Sequence, residues 1–153
     1  MSFKNVLEEN FSRLLRSLNA EGIPYLIIGG FAVILHGYVR ATKDLDVWIE
    51  PDERHALALS RALRSINVSL PPVEAMYQLR TASGLRLSAN LDSIDLLFRV
   101  AGVDFAECYT RRIELEFDSI PLTFISLADL RASKQAAGRL QDLLDLENLP
   151  EQE

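Results

Sequence analysis

The chain has 153 residues, of which 48% are hydrophobic and 25% charged, and its formal net charge is −6. These values are typical of one globular domain, and they exclude a disordered chain, a collagen-like repeat and a disulfide-stapled scaffold. An acidic chain does not attract a phosphate backbone or a membrane surface by bulk charge alone. The one cysteine, Cys108, cannot form an internal disulfide, which favours a cytoplasmic location. The longest stretch without Asp, Glu, Lys or Arg, 22–39, is interrupted by a Gly-Gly pair and a histidine and is shorter than the ~20 apolar residues that span a bilayer.

Hydrophobic spacing predicts the elements of the first part of the chain. Apolar residues three and four apart indicate a helix, whereas short apolar or alternating runs indicate strands. The predicted elements are an amphipathic helix over 3–20, a buried strand over 23–28, a helix over 31–36 ending at Gly37, a strand over 44–50 and a helix over 51–66.

The second part of the chain gives a mixed pattern of helices and strands. The predicted elements are a short helix after Pro72, a brief strand over 85–87, a strand over 91–100, a helical turn over 104–109, a hairpin of 113–117 with 120–125, and helices over 126–138 and 140–149. Because the two types do not alternate strictly, the predicted class is α+β, or mixed α/β. The sheet is expected to be mixed or mainly antiparallel, with helices on one side.

Two carboxylates stand two positions apart on the strand predicted over 44–50. Side chains at this spacing point the same way, so Asp44 and Asp46 share one face while Leu45 and Val47 face the core. Carboxylates held this close repel each other unless a cation lies between them, and Mg²⁺ prefers such oxygen ligands. A solvated strand face that carries two acids is the alternative.

A third carboxylate, Asp95, lies within the apolar strand predicted over 91–100. An unpaired buried carboxylate carries a large free-energy penalty. Asp95 is therefore expected either on an exposed edge strand or beside Asp44 and Asp46 around a metal ion. Asp92 is a competing candidate, although its position near the start of the strand is more typical of a turn.

Gly29 and Gly30 separate a predicted strand from a predicted helix. Without Cβ atoms, their backbone can approach a ligand closely, and the helix beyond can hold a phosphate. The pair does not match the dinucleotide-binding fingerprint, and the chain lacks the Lys-Ser/Thr of a phosphate-binding loop at this point. A tight turn without a ligand is the alternative.

In combination, these motifs resemble the nucleotidyltransferase superfamily of the DNA polymerase beta type. The run from Gly29 to Asp46 is similar to the opening of small bacterial nucleotidyltransferases, which are related to antitoxin-type minimal nucleotidyltransferases and abortive-infection toxins. The run from Asp129 to Leu146 is similar to their C-terminal motif, which has a helical lysine, Gly-Arg and two aspartates three residues apart. The resemblance covers roughly residues 22–149. It implies one nucleotidyltransferase domain over 1–153, in which a small mixed sheet is flanked by helices and followed by C-terminal helices.

The resemblance also implies a site. The metal triad corresponds to Asp44, Asp46 and Asp95, which are expected to bind two Mg²⁺ ions, with Mn²⁺ as the alternative ion. By the resemblance, the expected nucleotide-binding residues are Gly29, Gly30 and Lys134. Arg40 and Lys43 are added as nucleotide-binding residues because, like Thr42, they stand next to the triad where they could meet a phosphate; a charged loop is the alternative. Many superfamily members have Gly-Ser in place of Gly29-Gly30, so this chain offers no hydroxyl there. Outside the family context, Lys134 would be a solvated helix position, and Arg139 and Asp142 a helix-surface pair.

The implied activity is metal-dependent transfer of an NMP from an NTP, expected to be ATP, to a hydroxyl on a protein, RNA or small molecule. Pyrophosphate is the second product. An antitoxin-like or partner-binding module with weak or lost activity is the alternative, because the short chain leaves little room for acceptor recognition. A glycosyltransferase metal motif or a phosphatase nucleophile pair is a third interpretation of Asp-x-Asp. A homodimer or a toxin-like partner is consistent with the short chain.

Overall fold

The computed structural model describes residues 9–89 and 92–151. Within these residues, seven α-helices surround a six-stranded sheet. The helices are α1 (Glu9–Ala20), α2 (Gly29–Leu35), α3 (Ala56–Arg64), α4 (Pro72–Thr81), α5 (Phe105–Thr110), α6 (Leu127–Ala137) and α7 (Leu140–Asn148). The strands are β1 (Tyr25–Ile28), β2 (Leu45–Ile49), β3 (Gly84–Ala89), β4 (Asp92–Leu97), β5 (Ile113–Phe117) and β6 (Ile120–Phe124).

The sheet is mixed, as the sequence predicts. Its strand order is β3-β4-β2-β1-β6-β5. The neighbours β2 and β4 run parallel, as do β1 and β6, whereas the remaining pairs are antiparallel. A parallel pair needs a long crossover, and α3, α4 and β3 supply it between β2 and β4. This crossover brings two segments that are distant in sequence side by side at the centre of the sheet.

The central strands are buried on both faces. Val47 and Trp48 point to opposite faces of β2, and both are almost completely buried. Trp48 packs edge-on against Phe105 of α5, with ring centroids 5.2 Å apart. The expectation that helices cover one side is therefore wrong, because α5 lies over one face of β2 while the other face is also buried.

Several boundaries differ from those predicted. The helix predicted over 51–66 begins instead as a 3₁₀ turn over Glu53–His55, because the Asp52 side chain accepts a hydrogen bond from the Arg54 backbone N–H, 2.9 Å away. Helix α2 starts at Gly29, directly after β1. Residues 3–8 of the first predicted helix lie outside the described residues, as does residue 91 of the predicted strand 91–100.

The two C-terminal helices meet at a sharp corner. Ser126 begins α6 by accepting a hydrogen bond from the backbone N–H of Asp129, and Gly138 ends the helix with φ of +62°. The Asp142 carboxylate then accepts hydrogen bonds from both the backbone N–H and the Nε of Arg139, at 3.2 and 2.8 Å. This corner turns α7 back against α6, where Asp142 and Asp145 contact Lys134. None of the described helices combines the length and the apolarity that crossing a membrane requires.

Candidate active site

Three carboxylates from two distant strands meet in one cleft. The parallel register of β2 and β4 pairs Asp46 directly with Asp95. Asp44 stands two residues before Asp46, in the segment that leads into β2. All three line a cleft of about 570 Å³. Because β4 lies between β3 and β2, Asp95 is not on an edge strand, and that alternative is wrong. The side chain of the competing residue, Asp92, lies outside the described part of the structure.

Burial and the two neighbouring acids destabilise the charged form of Asp46. Burial, followed by the neighbouring Asp95 and Asp44, raises the pKa of Asp46 from 3.8 to about 7, and Lys134 only partly offsets the shift. The raised pKa therefore reflects burial first and, in addition, a local excess of negative charge. A hard divalent cation would satisfy this excess through its oxygen ligands. The chemistry of the donor set therefore fits a metal such as Mg²⁺, although the described residues do not include a preformed cluster of three metal-ligating side chains.

An arginine that sequence reasoning missed already provides positive charge at the triad. Arg86 lies on β3 opposite Asp95. Its Nη2 is 3.1 Å from Asp44 Oδ2, and its Nε is 3.4 Å from Asp95 Oδ1. The Arg86 side chain is more than half exposed, so the free-energy gain from these pairs is small. The guanidinium is a weakly held counter-ion that a more strongly bound cation could displace.

The two glycines are required by close contacts at the floor of the cleft. Gly29 has φ of +68°, and a Cβ there would overlap Asp46 Oδ2 and lie 2.8 Å from Asp46 Cγ. A Cβ on Gly30 would lie 2.5 Å from Thr42 Oγ1 and 2.7 Å from Thr42 Cβ. Both spaces are therefore already filled by side chains that line the same cleft.

The opposite wall is a buried network of charges. Lys134 is 6% exposed, so the alternative of a solvated helix position is wrong. Its Nζ is 2.8 Å from Asp145 Oδ2 and 3.4 Å from Asp142 Oδ1. Asp145 is fully buried and also accepts hydrogen bonds from Arg40 Nε at 2.8 Å and from Gln141 Nε2 at 2.9 Å.

Two aspartates organise this wall and remain ionised. Burial alone would raise the pKa of Asp145, but hydrogen bonds from Arg40, Lys134 and Gln141 outweigh it and hold the pKa below its usual range. Asp142 behaves in the same way, because a hydrogen bond from Arg139 and the charge of Lys134 offset its burial. Asp142 is 3% exposed, so the carboxylate of the expected helix-surface pair with Arg139 is buried and does not lie on the surface.

The structure brings most, but not all, of the expected nucleotide-binding residues together. Gly29, Gly30, Arg40 and Lys134 line the cleft with the triad. Lys43 is exposed, and the described lining of the cleft does not include it.

Comparison with known proteins identifies the family of the chain and agrees with its fold. A family model described as "Nucleotidyltransferase of unknown function (DUF6036)" matches residues 5–150. No curated protein gives a significant match. Among solved structures, the lincosamide antibiotic adenylyltransferase LnuA bound to lincomycin is similar, with a TM-score of 0.60 and 15% identity over 94% of this chain and 96% of that chain. The antibiotic-resistance factor ANT(2'')-Ia has a TM-score of 0.60 and 14% identity over 96% of this chain and 83% of that chain.

These structural similarities establish the fold, and the family match extends over nearly the whole sequence. The chain belongs to the DUF6036 family of nucleotidyltransferases.

Proposed function

We propose that the protein transfers an NMP from an NTP to an acceptor hydroxyl in a metal-dependent reaction that releases pyrophosphate. The observation that supports this proposal is the meeting of Asp44, Asp46 and Asp95 in a single cleft. The cleft has a glycine floor beside the triad and a cationic wall opposite it. A nucleoside triphosphate needs these features, because its reacting phosphorus must approach the metal ligands while its remaining phosphates meet positive charge.

The triad would hold the divalent ions. Asp44, Asp46 and Asp95 offer carboxylate oxygens, and the raised pKa of Asp46 marks a position where a cation would replace a proton. Bound Mg²⁺ would supply charge neutralisation at the triphosphate and would lower the pKa of the acceptor hydroxyl. The protein contributes the geometry, since the register of β2 and β4 fixes where the carboxylates stand.

The reaction would proceed by in-line displacement at the α-phosphorus. A bond forms between the acceptor oxygen and the α-phosphorus, while the bond from that phosphorus to the oxygen bridging to the β-phosphorus breaks. The electron pair of the broken bond leaves with pyrophosphate. In this proposal Asp95 accepts the hydroxyl proton, and Lys134 and Arg40 offset the negative charge that grows on the leaving group. The glycines let the triphosphate lie close to the backbone.

The structural neighbours favour an adenylyl donor and a small acceptor. LnuA is an adenylyltransferase that was solved with lincomycin, and ANT(2'')-Ia was solved with adenylyl-2''-tobramycin. By analogy, we propose ATP as the donor and a small hydroxylated molecule as the first class of acceptor to examine.

The direct test follows label from each of the four α-labelled NTPs in the presence of Mg²⁺ and a panel of hydroxylated acceptors. We expect Asp44→Asn, Asp46→Asn and Asp95→Asn each to reduce transfer by at least about a hundredfold, because each removes a charged metal ligand. Glu116→Gln is the matched control, because Glu116 is an exposed acid on β5 outside the cleft lining. Transfer at the wild-type rate by the triad variants would contradict the proposed roles.

Calorimetry distinguishes an enzyme from a partner-binding module. The wild-type protein should bind ATP more tightly with Mg²⁺ than with EDTA. If no metal-dependent nucleotide binding is measured, the antitoxin-like alternative is favoured instead.

A further inference from the structure

Thr42 occupies an unusual position beside the glycine floor. Its side chain fills the space that a Cβ on Gly30 would take, with Thr42 Oγ1 2.5 Å from that Cβ position. Thr42 is half-buried and lines the cleft together with Gly29, Gly30 and Asp44. The threonine thus brings a hydroxyl to the part of the cleft floor where the glycine backbone provides none.

Among the described residues, this hydroxyl makes a long hydrogen bond. Thr42 Oγ1 is 3.4 Å from the Asp44 carbonyl oxygen, at the outer limit of a hydrogen bond. Among the described residues of the cleft lining, the other hydroxyl belongs to Ser133, which donates to the Leu130 carbonyl at 2.8 Å. The Thr42 hydroxyl is therefore able to donate a hydrogen bond to an anionic ligand.

The cations of the opposite wall do not fill this role. Arg40 and Lys134 are already paired with Asp145, and Arg139 is paired with Asp142. A phosphate bound between this wall and the triad would face carboxylates on the triad side. A neutral donor on that side compensates for them without adding a charge that would compete with a metal ion.

We infer that Thr42 is a nucleotide-contacting residue whose hydroxyl donates a hydrogen bond to the triphosphate of the substrate. This inference rests on the proposed function and extends it, because it assigns to a threonine of the α2–β2 loop the hydroxyl that the two glycines lack. Hydrogen bonds to charged groups are stronger than those between neutral groups, so the contact contributes mainly to nucleotide affinity.

The experiment measures the dissociation constant of α,β-methylene ATP with Mg²⁺ by calorimetry, because this analogue binds without transfer. Thr42→Val keeps the branched shape that fills the space above Gly30 but removes the hydroxyl, whereas Thr42→Ser keeps the hydroxyl. We expect the valine variant to bind about tenfold or more weakly and the serine variant to bind within about threefold of wild type. In turnover assays, the valine variant should show a raised KM with little change in kcat.

A thermal unfolding curve of each variant without nucleotide separates binding from folding. The melting temperature of Thr42→Val should equal that of wild type within the error of the measurement. Wild-type affinity in Thr42→Val would overturn the inference, as would equal losses in both variants or a loss that accompanies a lowered melting temperature. If wild-type protein itself does not bind the analogue, the proposed function fails as well, so the two failures are distinguishable.

Discussion

Asp46 and Asp95 are register partners on the parallel strands β2 and β4, although 48 residues separate them along the chain. Residues paired in this way point to the same face of a sheet, so the two carboxyl groups are held together by backbone hydrogen bonds. Burial of Asp46, followed by repulsion from Asp95, raises the pKa of Asp46 to about 7. The folded state therefore has an unfavourable electrostatic free energy at the point where the proposed cation would bind.

This cost should appear in the pH dependence of stability. The pKa of Asp46 is raised from 3.8 in an unfolded chain to about 7, so its contribution to stability is fully present below about pH 4 and is lost as pH rises to about 7. Asp46→Asn removes the titration. Without divalent ions, we expect the variant to melt a few degrees above wild type at pH 8 and close to wild type at pH 4, given ~2–4 °C per kcal/mol for a domain of this size.

Scanning calorimetry between pH 4 and pH 8 measures this difference. Addition of Mg²⁺ at pH 8 should raise the melting temperature of wild type more than that of Asp46→Asn. Parallel pH profiles for the two proteins would contradict the expected coupling.

Gly29 should tolerate alanine far less well than Gly22. Both have positive φ, +68° and +70°, so each alanine substitution incurs a similar backbone strain of ~1–2 kcal/mol. At Gly22 no atom lies within 4 Å of the added Cβ, whereas at Gly29 that Cβ would overlap the Asp46 carboxylate. The free energy of unfolding should therefore fall by ~1–3 kcal/mol more in Gly29→Ala than in Gly22→Ala, because extra atoms in a packed site are destabilising. Urea denaturation of the two variants makes the comparison, and equal losses would show that the contact with Asp46 is not tight.

Gly30 and Thr42 should be energetically coupled. Gly30→Ser should destabilise the protein by ~1–3 kcal/mol, because its Cβ would lie 2.5 Å from Thr42 Oγ1. In a Thr42→Ala background the space is free, so the same substitution should cost less. A double-mutant cycle of unfolding free energies measures the coupling, for which we expect at least ~0.5 kcal/mol. Additive effects would be inconsistent with the observed contact.

The Asp145 network should be a large contributor to stability. Asp145→Asn leaves Arg40 without its buried counter-ion and leaves Lys134 with only the more distant Asp142, and breaking such a buried pair costs ~3–5 kcal/mol. Because the pKa of Asp145 is lowered, the stability it provides is present above its unfolded pKa and is lost as pH falls into the acid range. Arg139→Ala is the control. Because the Arg139 side chain is 80% exposed, its removal should lower the free energy of unfolding by less than ~1 kcal/mol. Similar urea midpoints for the two variants would contradict the network's importance.

Much of the architecture follows from local sequence patterns. The two-residue spacing of Asp44 and Asp46 on a strand, the break at Gly29 and the hairpin over β5 and β6 are all properties of short segments. The proximity of Asp95 was predicted from family resemblance together with the cost of burying an acid. It could not be calculated from the sequence, because the β2–β4 register depends on a crossover of several elements.

The features missed by the sequence analysis depend on contacts between distant residues. Arg86 reaches the triad because β3 pairs with β4, and no local pattern distinguishes it from other exposed arginines. Lys134 looks like a solvated helix position until α7 folds back over it. The coverage of both sheet faces was missed because the alternation that leads into β2 shows polar residues at 44 and 46, while Trp48 on the same face is covered by α5.

The ion pair between Arg40 and Asp145 joins two residues that are 105 positions apart in the chain. One belongs to the loop that leads into the triad, and the other to the helix α7. We therefore expect docking of this helix to be coupled to completion of the candidate active site. Fraying of α7 would release Arg40 and Lys134 together. Binding of a polyphosphate in the pocket should therefore increase the protection of the α7 amides from hydrogen exchange.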